Sequence, residues 1–239
     1  MKSLKFKILN KYKDIIEHGI TYRGDDFIHV DINSSQFINN KIKLAEELKV
    51  KEKDVFFINQ VHDKNIRIID ANSKNEILEY DGLITDCKGK ALVTCYADCV
   101  PLLFFDPEKK VIASVHSGWK GTIKEIGKNT VETMCSKYNS KKQNIIVCVG
   151  PSIGQCCFEV SKDVWEKFNN KFPTSTITGN QKYKVNLWQA NKEQLLKAGI
   201  KEKNIEISQI CTNCNNDKFY SYRSGDKETG RFAAYILLK

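Results

Sequence analysis

Two apolar runs separated by a short turn constrain this chain more than any other feature. Residues 102–105 read Leu-Leu-Phe-Phe, residues 111–115 read Val-Ile-Ala-Ser-Val, and an Asp-Pro pair opens the segment between them. Apolar runs of this length on either side of a turn predict two paired strands. Cys99 precedes the first strand and His116 follows the second. We therefore expect the hairpin to bring a thiol and an imidazole to one edge of a sheet.

A thiol and an imidazole held together suit either a metal site or a nucleophile–base pair. His62 is a third candidate ligand, because it follows a predicted strand at 55–58 and has polar neighbours. Together, His62, Cys99 and His116 would leave one tetrahedral position open, which is the pattern of a catalytic zinc site. Such an ion would hold the cysteine as a thiolate and activate water. Asp98 would orient a ligand or act as a base.

The order of predicted elements indicates the fold class. Helical periodicity covers 34–48, a segment from near Thr122 to Met134, 161–168 and 187–198. Beyond the hairpin, the predicted strands are 15–23, 55–58, 66–69, 80–86, 145–149, 205–207 and 231–238. This alternation predicts an α+β fold with mixed α/β layers, in which a sandwich of mixed β-sheets is flanked by helices. We expect a single domain over residues 1–239.

The composition restricts the classes of protein to consider. The 239 residues are 41% hydrophobic and 10% aromatic, which is enough for a sizeable core. No apolar stretch has the length of a membrane span, and the first residues lack an apolar export segment, so we expect a cytoplasmic protein without a membrane partner. The net charge of +9 is compatible with a nucleic-acid-binding module. The lysines are scattered, however, which is typical of a solvated surface.

The nine cysteines are expected to be reduced, because no export signal accompanies them. Cys211 and Cys214 have C-x-x-C spacing, but no second pair with that spacing exists and asparagines favour a simple turn here. His18 and His29 are isolated, and we expect both to be structural. Four further cysteines are expected to be small buried apolar side chains: Cys135, Cys148, Cys156 and Cys157.

Ordered motifs extend along nearly the whole chain. They are His18-Gly19 with Arg23, Gln60-Val61-His62, Asp81-Gly82-Leu83-Ile84-Thr85, Ala97-Asp98-Cys99-Val100-Pro101, His116-Ser117-Gly118-Trp119-Lys120-Gly121, Gly150-Pro151-Ser152-Ile153-Gly154, Cys211-Thr212, Phe219-Tyr220-Ser221-Tyr222-Arg223 and Thr229-Gly230-Arg231. Through them the sequence resembles the YfiH family, also called the laccase-domain or polyphenol-oxidase-like family. So many motifs in one order are not expected by chance.

The resemblance implies a zinc enzyme. His62, Cys99 and His116 match the zinc ligands of the family. The implied reactions are phosphorolysis of adenosine, inosine, guanosine and methylthioadenosine, together with deamination of adenosine. The partners would then be purine nucleosides and phosphate, with no nucleic acid, and the protein would be a monomer or a weak homo-oligomer.

The remaining candidate residues divide into catalytic and substrate-binding groups. We assign catalytic roles to Cys99, Asp98, Arg23 and Lys41, and substrate contacts to Gln60, Gly118 and Lys120. The cationic members Arg23, Lys41 and Lys120 would hold phosphate. Lys41 and Lys120 stand where the family usually has Arg, and Asn186 stands where it usually has Asp. A lysine offers phosphate a point charge, whereas Arg offers a planar fork.

Other functions are weighed against this one. A multicopper oxidase is excluded, because four histidines cannot supply a mononuclear site and a trinuclear cluster, although one copper ion in place of zinc is compatible. A cysteine hydrolase in which His116 activates Cys99, for example on cell-wall peptide precursors, remains open. A basic nucleic-acid-binding module without catalysis also remains open. The absence of clustered arginines and of basic runs interleaved with aromatic residues argues against it.

Overall fold

The structure, a computed structural model, describes residues 1–27, 34–179, 182–225 and 229–239. Its strands are β1 (Ser3–Leu4), β2 (Ile16–Thr21), β3 (Val55–Phe56), β4 (Ile66–Ile68), β5 (Gly82–Thr85), β6 (Ala91–Tyr96), β7 (Val100–Asp106), β8 (Val111–Ser117), β9 (Ile146–Val149), β10 (Glu159–Val160), β11 (Thr176–Gly179), β12 (Lys182–Val185), β13 (Ile205–Ile207) and β14 (Phe232–Leu238). Its α-helices are α1 (Lys7–Asn10), α2 (Ser35–Leu48), α3 (Trp119–Ile123), α4 (Ile126–Tyr138), α5 (Lys162–Lys171) and α6 (Leu187–Lys197). His29 lies outside the described residues.

Two mixed sheets form the centre of the fold. One has the order β1-β2-β14-β6-β3 and the other has the order β13-β9-β7-β8-β5-β4. Each contains antiparallel pairs at its centre and a parallel pair at one or both edges. A shared apolar layer joins Tyr96 and Phe232 of the first sheet to Phe105 and Ile112 of the second. The predicted sandwich of mixed sheets is confirmed.

Helices cover the outer faces of the sandwich. Phe37 and Leu44 of α2 belong to a core cluster with Val93 of the five-stranded sheet. Helices α4, α5 and α6 contribute to a larger cluster against the six-stranded sheet, including Val131 of α4 and Leu195 of α6. A smaller antiparallel sheet, β10-β12-β11, lies beside α5. No helix within the described residues has both the length and the apolar character needed to cross a membrane.

The predicted hairpin is present and positions the candidate site. Strands β7 and β8 are antiparallel, with Pro101 opposite His116 and Val100 opposite Ser117. All the residues of both strands are buried. Cys99 comes directly before β7, so the pairing places its side chain beside the end of β8, as the apolar pattern predicted.

Helix boundaries follow local signals, with one correction. The side chain of Ser34 accepts a hydrogen bond from the backbone N–H of Phe37 and caps α2. Helix α6 ends before Gly199, whose positive φ of 98° suits a glycine after a helix. The helix predicted from near Thr122 instead forms two pieces, α3 and α4. The break falls where Glu125 adopts a left-handed conformation, with φ of 59°.

The isolated His18 is structural, as expected. Its ring is buried, and Nε2 accepts a hydrogen bond from the backbone N–H of Phe6 at 3.0 Å. Burial and then the charge of Lys5 lower the pKa of His18 to about 4. The imidazole is therefore neutral in the folded protein at ordinary pH.

The cysteines correct the prediction at three positions. Cys148 is buried in β9 as expected, whereas Cys135 on α4 is only partly buried. Cys156 is exposed and Cys157 is only partly buried, although both were expected in the core. They lie in a turn before β10 rather than within a strand, and their side chains face the C-x-x-C segment.

Candidate active site

His62, Cys99 and His116 come together at the open end of the β7–β8 hairpin. One ligand atom from each side chain lies within 4.8 Å of the other two. Sγ of Cys99 is 3.9 Å from Nε2 of His62, and the two imidazole rings are nearly perpendicular, with centroids 4.8 Å apart. Typical zinc–ligand bond lengths in a tetrahedron place nitrogen and sulfur about 3.6 Å apart. The donor set and its spacing therefore fit a zinc ion.

A buried carboxylate positions both imidazoles. Asp81 precedes β5 and is fully buried. Oδ1 of Asp81 is 2.8 Å from Nδ1 of His116, and because both oxygens of Asp81 also accept backbone N–H groups, we assign Nδ1 as the donor. The same carboxylate accepts the backbone N–H groups of His62 at 2.9 Å and Asp63 at 2.6 Å. It thereby supports the left-handed backbone of His62, whose φ is 60°.

Gly118 lies directly against the side chains of His62, Cys99 and His116. A Cβ atom at this position would lie 3.0 Å from Cδ2 of His62 and 3.1 Å from Sγ of Cys99. It would also lie 3.5 Å from Cε1 of His116. Only glycine lets the chain pass this close to all three side chains without displacing them.

The charges around Cys99 and His116 favour the thiolate form of Cys99. Burial alone raises the pKa of Cys99, but His116 and His62 outweigh that effect and lower the pKa to about 6. Burial alone lowers the pKa of His116, but Cys99 and Asp81 outweigh it and raise the pKa to about 9. Metal binding and nucleophilic attack both require a cysteine in the thiolate form.

The ligand set opens into a cavity of about 550 Å³. This volume lies within the usual range for small-molecule sites. Trp119, Phe158 and Tyr222 give the cavity aromatic walls, and the side chain of Tyr222 is well exposed. The remaining lining residues are Asn59, Gln60, His62, Cys95, Ala97, Asp98, Cys99, His116, Ile153, Arg223 and Arg231. Planar aromatic walls beside a few polar groups suit a flat heterocyclic ligand.

Two further predicted site residues line this cavity and are held by hydrogen bonds. The side-chain amide of Gln60 donates to the carbonyl of Cys95 and accepts from its backbone N–H, at 2.8 and 2.7 Å. Asp98 has a positive φ of 83°. Its carboxylate accepts from the hydroxyl of Thr212 at 2.6 Å and from the backbone N–H of Arg223 at 2.8 Å. Asp98 thus ties the cavity to the loop that follows β13.

Three predicted cationic residues lie outside the cavity lining. Arg23 is exposed, and its guanidinium donates to the carbonyl of Asn216 and lies over the ring of Tyr220. Lys41 forms an ion pair with Glu52. Lys120, exposed on α3, lies 5.7 Å from the ring centroid of the neighbouring Trp119. The structure does not bring these three together with the ligand set.

The family assignment comes from the sequence as a whole. The family described as multi-copper polyphenol oxidoreductase laccase matches residues 25–239 of the chain. The chain belongs to this family. The match confirms the resemblance that the ordered motifs indicated.

Named relatives of this laccase-like protein are nucleoside enzymes. It is 30% identical to a purine nucleoside phosphorylase, YlmD of Bacillus subtilis, over 224 residues that cover 89% of this chain and 81% of the relative. It is 32% identical to an adenosine deaminase, RL5 of an unknown prokaryotic organism, over 91% of this chain and 85% of the relative. A crystal structure of the hypothetical protein YfiH of Bacillus licheniformis superposes with a TM-score of 0.91 at 29% identity, covering 99% of this chain and 96% of that one.

Besides the aromatic walls, one carboxylate and two cations of this laccase-like site were not among the sequence candidates. Asp81 supports the histidines, and the cavity cations are Arg223 and Arg231. All three occur within the ordered motifs, so the motifs carried a signal. Residue type and spacing alone did not show that Asp81 is buried or that both arginines line the same cavity. Those facts depend on how distant loops pack.

Proposed function

We propose that this protein is a purine nucleoside phosphorylase that also deaminates adenosine, with zinc held by His62, Cys99 and His116. The observation that carries the proposal is one cavity that combines this ligand set with aromatic walls and two arginines. The names of the relatives supply the reactions. Zinc, when bound, would supply a Lewis acid beside the substrate and the activation of a water molecule.

The aromatic walls account for base binding in this proposal. A purine is flat and apolar on its faces, so Trp119, Phe158 and Tyr222 would hold it by stacking. Inosine, guanosine, adenosine and methylthioadenosine share this ring system. Stacking is therefore consistent with acceptance of several purines, because it makes few demands on the ring substituents.

The arginines account for phosphate binding. Nη1 of Arg231 donates to the carbonyls of Thr229 and Gly230, which fixes the direction of the side chain. Nη1 of Arg223 donates to the carbonyls of Cys157 and Glu159. A guanidinium has five N–H donors, so donors remain for a phosphate in the cavity.

The chemical step would then follow from the placement of the nucleoside and phosphate side by side in the cavity. A phosphate oxygen forms a bond to C1′ of the ribose while the bond from C1′ to the purine nitrogen breaks. The electron pair of that bond stays on the purine, which takes up the proton of the monohydrogen phosphate, giving the free base and ribose 1-phosphate. Holding both partners in one cavity provides the main acceleration, and the positive charge of Arg223 and Arg231 would orient the phosphate. Asp98 acts here as a positioning residue, because it binds the backbone N–H of Arg223.

Product analysis tests the proposal. Purified protein is incubated with adenosine, with and without phosphate, and adenine, ribose 1-phosphate and inosine are measured. We expect adenine and ribose 1-phosphate only when phosphate is present, and inosine in both conditions. Cys99→Ala should abolish these products, whereas Cys87→Ala, which alters a cysteine remote from the cavity lining, should retain them. The absence of products from every purine nucleoside tested would refute the proposal.

A cysteine hydrolase is the second candidate, because the lowered pKa of Cys99 and the raised pKa of His116 describe a nucleophile–base pair. Chelation separates the two functions. A zinc enzyme loses activity when a chelator removes its metal and regains it when zinc is restored. A cysteine hydrolase keeps its activity towards an ester such as p-nitrophenyl acetate under the same treatment and is inactivated by iodoacetamide.

A further inference from the structure

Four cysteines from two distant segments form a second cluster. Cys156 and Cys157 lie in the turn that precedes β10, and Cys211 and Cys214 form the C-x-x-C segment after β13. Their sulfur atoms all lie within 4.8 Å of one another. The adjacent pair thus supplies, in three dimensions, the second pair of thiols that the sequence spacing did not reveal.

The spacing of the sulfur atoms is that of a tetrathiolate metal site. Sγ of Cys214 is 3.4 Å from Sγ of Cys157 and 3.6 Å from Sγ of Cys156. A tetrahedral zinc ion with four zinc–sulfur bonds of usual length places sulfur atoms about 3.8 Å apart. The number of sulfur atoms and their spacing match the coordination number and the ligand type of a structural zinc site.

Hydrogen bonds from N–H groups favour the thiolate form at two of the four sulfur atoms. The backbone N–H of Gly154 donates to Sγ of Cys211 at 3.2 Å, and the side-chain amide of Asn213 donates to Sγ of Cys157 at 3.2 Å. Such N–H groups around the first ligands orient them and offset negative charge. A Cβ on Gly154 would lie 3.2 Å from Sγ of Cys156, so glycine leaves room for the cluster.

Two cations lie beside the cluster. Lys184 donates to the carbonyl of Cys156 at 3.0 Å, and Arg223 donates to the carbonyl of Cys157 at 3.1 Å. Four thiolates and one divalent ion carry a net charge of −2, which nearby positive side chains partly neutralise. The four cysteines therefore have the donor type, spacing and surroundings of a metal site.

We propose that Cys156, Cys157, Cys211 and Cys214 bind a structural zinc ion, separate from the site at His62, Cys99 and His116. Four protein sulfur atoms fill a tetrahedral coordination sphere, so the ion has no position for substrate. Its role is to hold two segments of the cavity wall together. One segment carries Phe158, and the other carries Arg223.

Metal analysis of four proteins tests this site. The native chain, Cys99→Ala, the double variant Cys156→Ser/Cys214→Ser, and Cys87→Ser are purified with reductant and without chelator, and zinc is measured by mass spectrometry. We expect about two zinc ions per chain in the native protein and in Cys87→Ser, and about one in each of the other two. Cys156 and Cys214 are exposed, so serine is compatible with the fold at both positions.

Cobalt substitution identifies the ligands by a spectroscopic signature that does not depend on zinc content. Native protein loaded with Co²⁺ should show the intense sulfur-to-cobalt charge-transfer absorption of a tetrathiolate site. Cys99→Ala should retain most of that absorption, whereas the double variant should keep only the weaker absorption of a single sulfur–cobalt bond, that of Cys99. Native zinc of about one ion per chain that disappears in Cys99→Ala would overturn the proposal. A disulfide within the cluster of the reduced, purified protein, with no zinc bound there, would also overturn it.

Discussion

Oδ1 of Asp81 and Nδ1 of His116 are 2.8 Å apart, and this bond fixes which nitrogen of the imidazole faces Cys99. With Nδ1 protonated, Nε2 is the atom available to a metal ion. The same carboxylate binds the backbone N–H of His62. One buried side chain therefore orients two of the three proposed ligands, although Asp81 is not itself a proposed ligand.

Asp81→Asn is expected to weaken zinc binding by about 10- to 100-fold, as is usual for loss of a group that supports a metal-binding histidine. The amide keeps the size of the side chain but replaces one acceptor oxygen with a donor, which opposes the N–H groups that point at it. Zinc affinity is measured by competition with a chromogenic chelator.

Asp106→Asn is the matched control. Asp106 is also buried, and its carboxylate accepts backbone N–H groups of Glu108 and Lys109 at the far end of the hairpin. We expect this variant to lose stability without loss of zinc affinity. Equal zinc affinity in native protein and Asp81→Asn would contradict the positioning role.

Gly118→Ala is expected to disturb the ligand set by steric contact. The added methyl group would lie 3.0 Å from His62 and 3.1 Å from Cys99, so at least one ligand must move. We expect about a tenfold or greater loss of zinc affinity, because coordination depends on ligand positions being held within a few tenths of an ångström. Gly179→Ala is the control, since a Cβ there has no neighbour within 4 Å among the described residues. Unchanged zinc affinity in Gly118→Ala would count against the ligand geometry.

Arg231→Gln is expected to raise the KM for phosphate by about 10- to 100-fold, which corresponds to loss of one charged hydrogen bond. The KM for the nucleoside should change little. Lys120→Gln removes a cation that lies outside the cavity lining, and its phosphate KM should stay within about twofold of the native value. Initial rates at varied phosphate concentration distinguish the two variants. A larger increase in the phosphate KM for Lys120→Gln than for Arg231→Gln would show that phosphate binds at α3 and not at Arg231.

The hairpin and the approach of Cys99 to His116 could be predicted because the information is local. Apolar runs define β7 and β8, and antiparallel pairing then fixes the approach of Cys99 to His116 with few alternatives. His62 required one further step, because its loop is held by Asp81 rather than by a strand. Helix α2 was equally predictable, since its cap and its apolar face lie within one short segment.

The rest depended on packing between distant segments. Cys156 and Cys157 looked apolar in sequence, and only the approach of the segment that carries Cys214 shows their shared environment. Candidate phosphate ligands were chosen from charge and motif position, but Lys41 is paired with Glu52 and Arg231 lies in the cavity. Residue type gives the chemistry that a side chain offers, whereas loop packing decides which groups share a cavity.

The stability of the native protein is expected to fall as the pH is lowered from 7 to 5, because of His18. Burial, followed by the charge of Lys5, lowers the pKa of His18 to about 4 in the folded protein. The unfolded chain binds a proton near pH 6.5, so between these values unfolding takes up a proton. The stabilisation is therefore complete above pH 6.5 and is lost as the pH falls towards 4, by about 2 kcal/mol between pH 7 and pH 5.

His18→Gln keeps an acceptor for the backbone N–H of Phe6 but cannot be protonated. Denaturant unfolding of both proteins at pH 7 and at pH 5 should show a smaller decrease in the variant, by about 2 kcal/mol. Glu17 also has a lowered pKa, which burial opposes and its hydrogen bonds to Lys5 and Lys239 outweigh. Its contribution is lost mainly below pH 4.5 and is common to both proteins. Parallel decreases in the two proteins would show that the neutral His18 does not control this pH dependence.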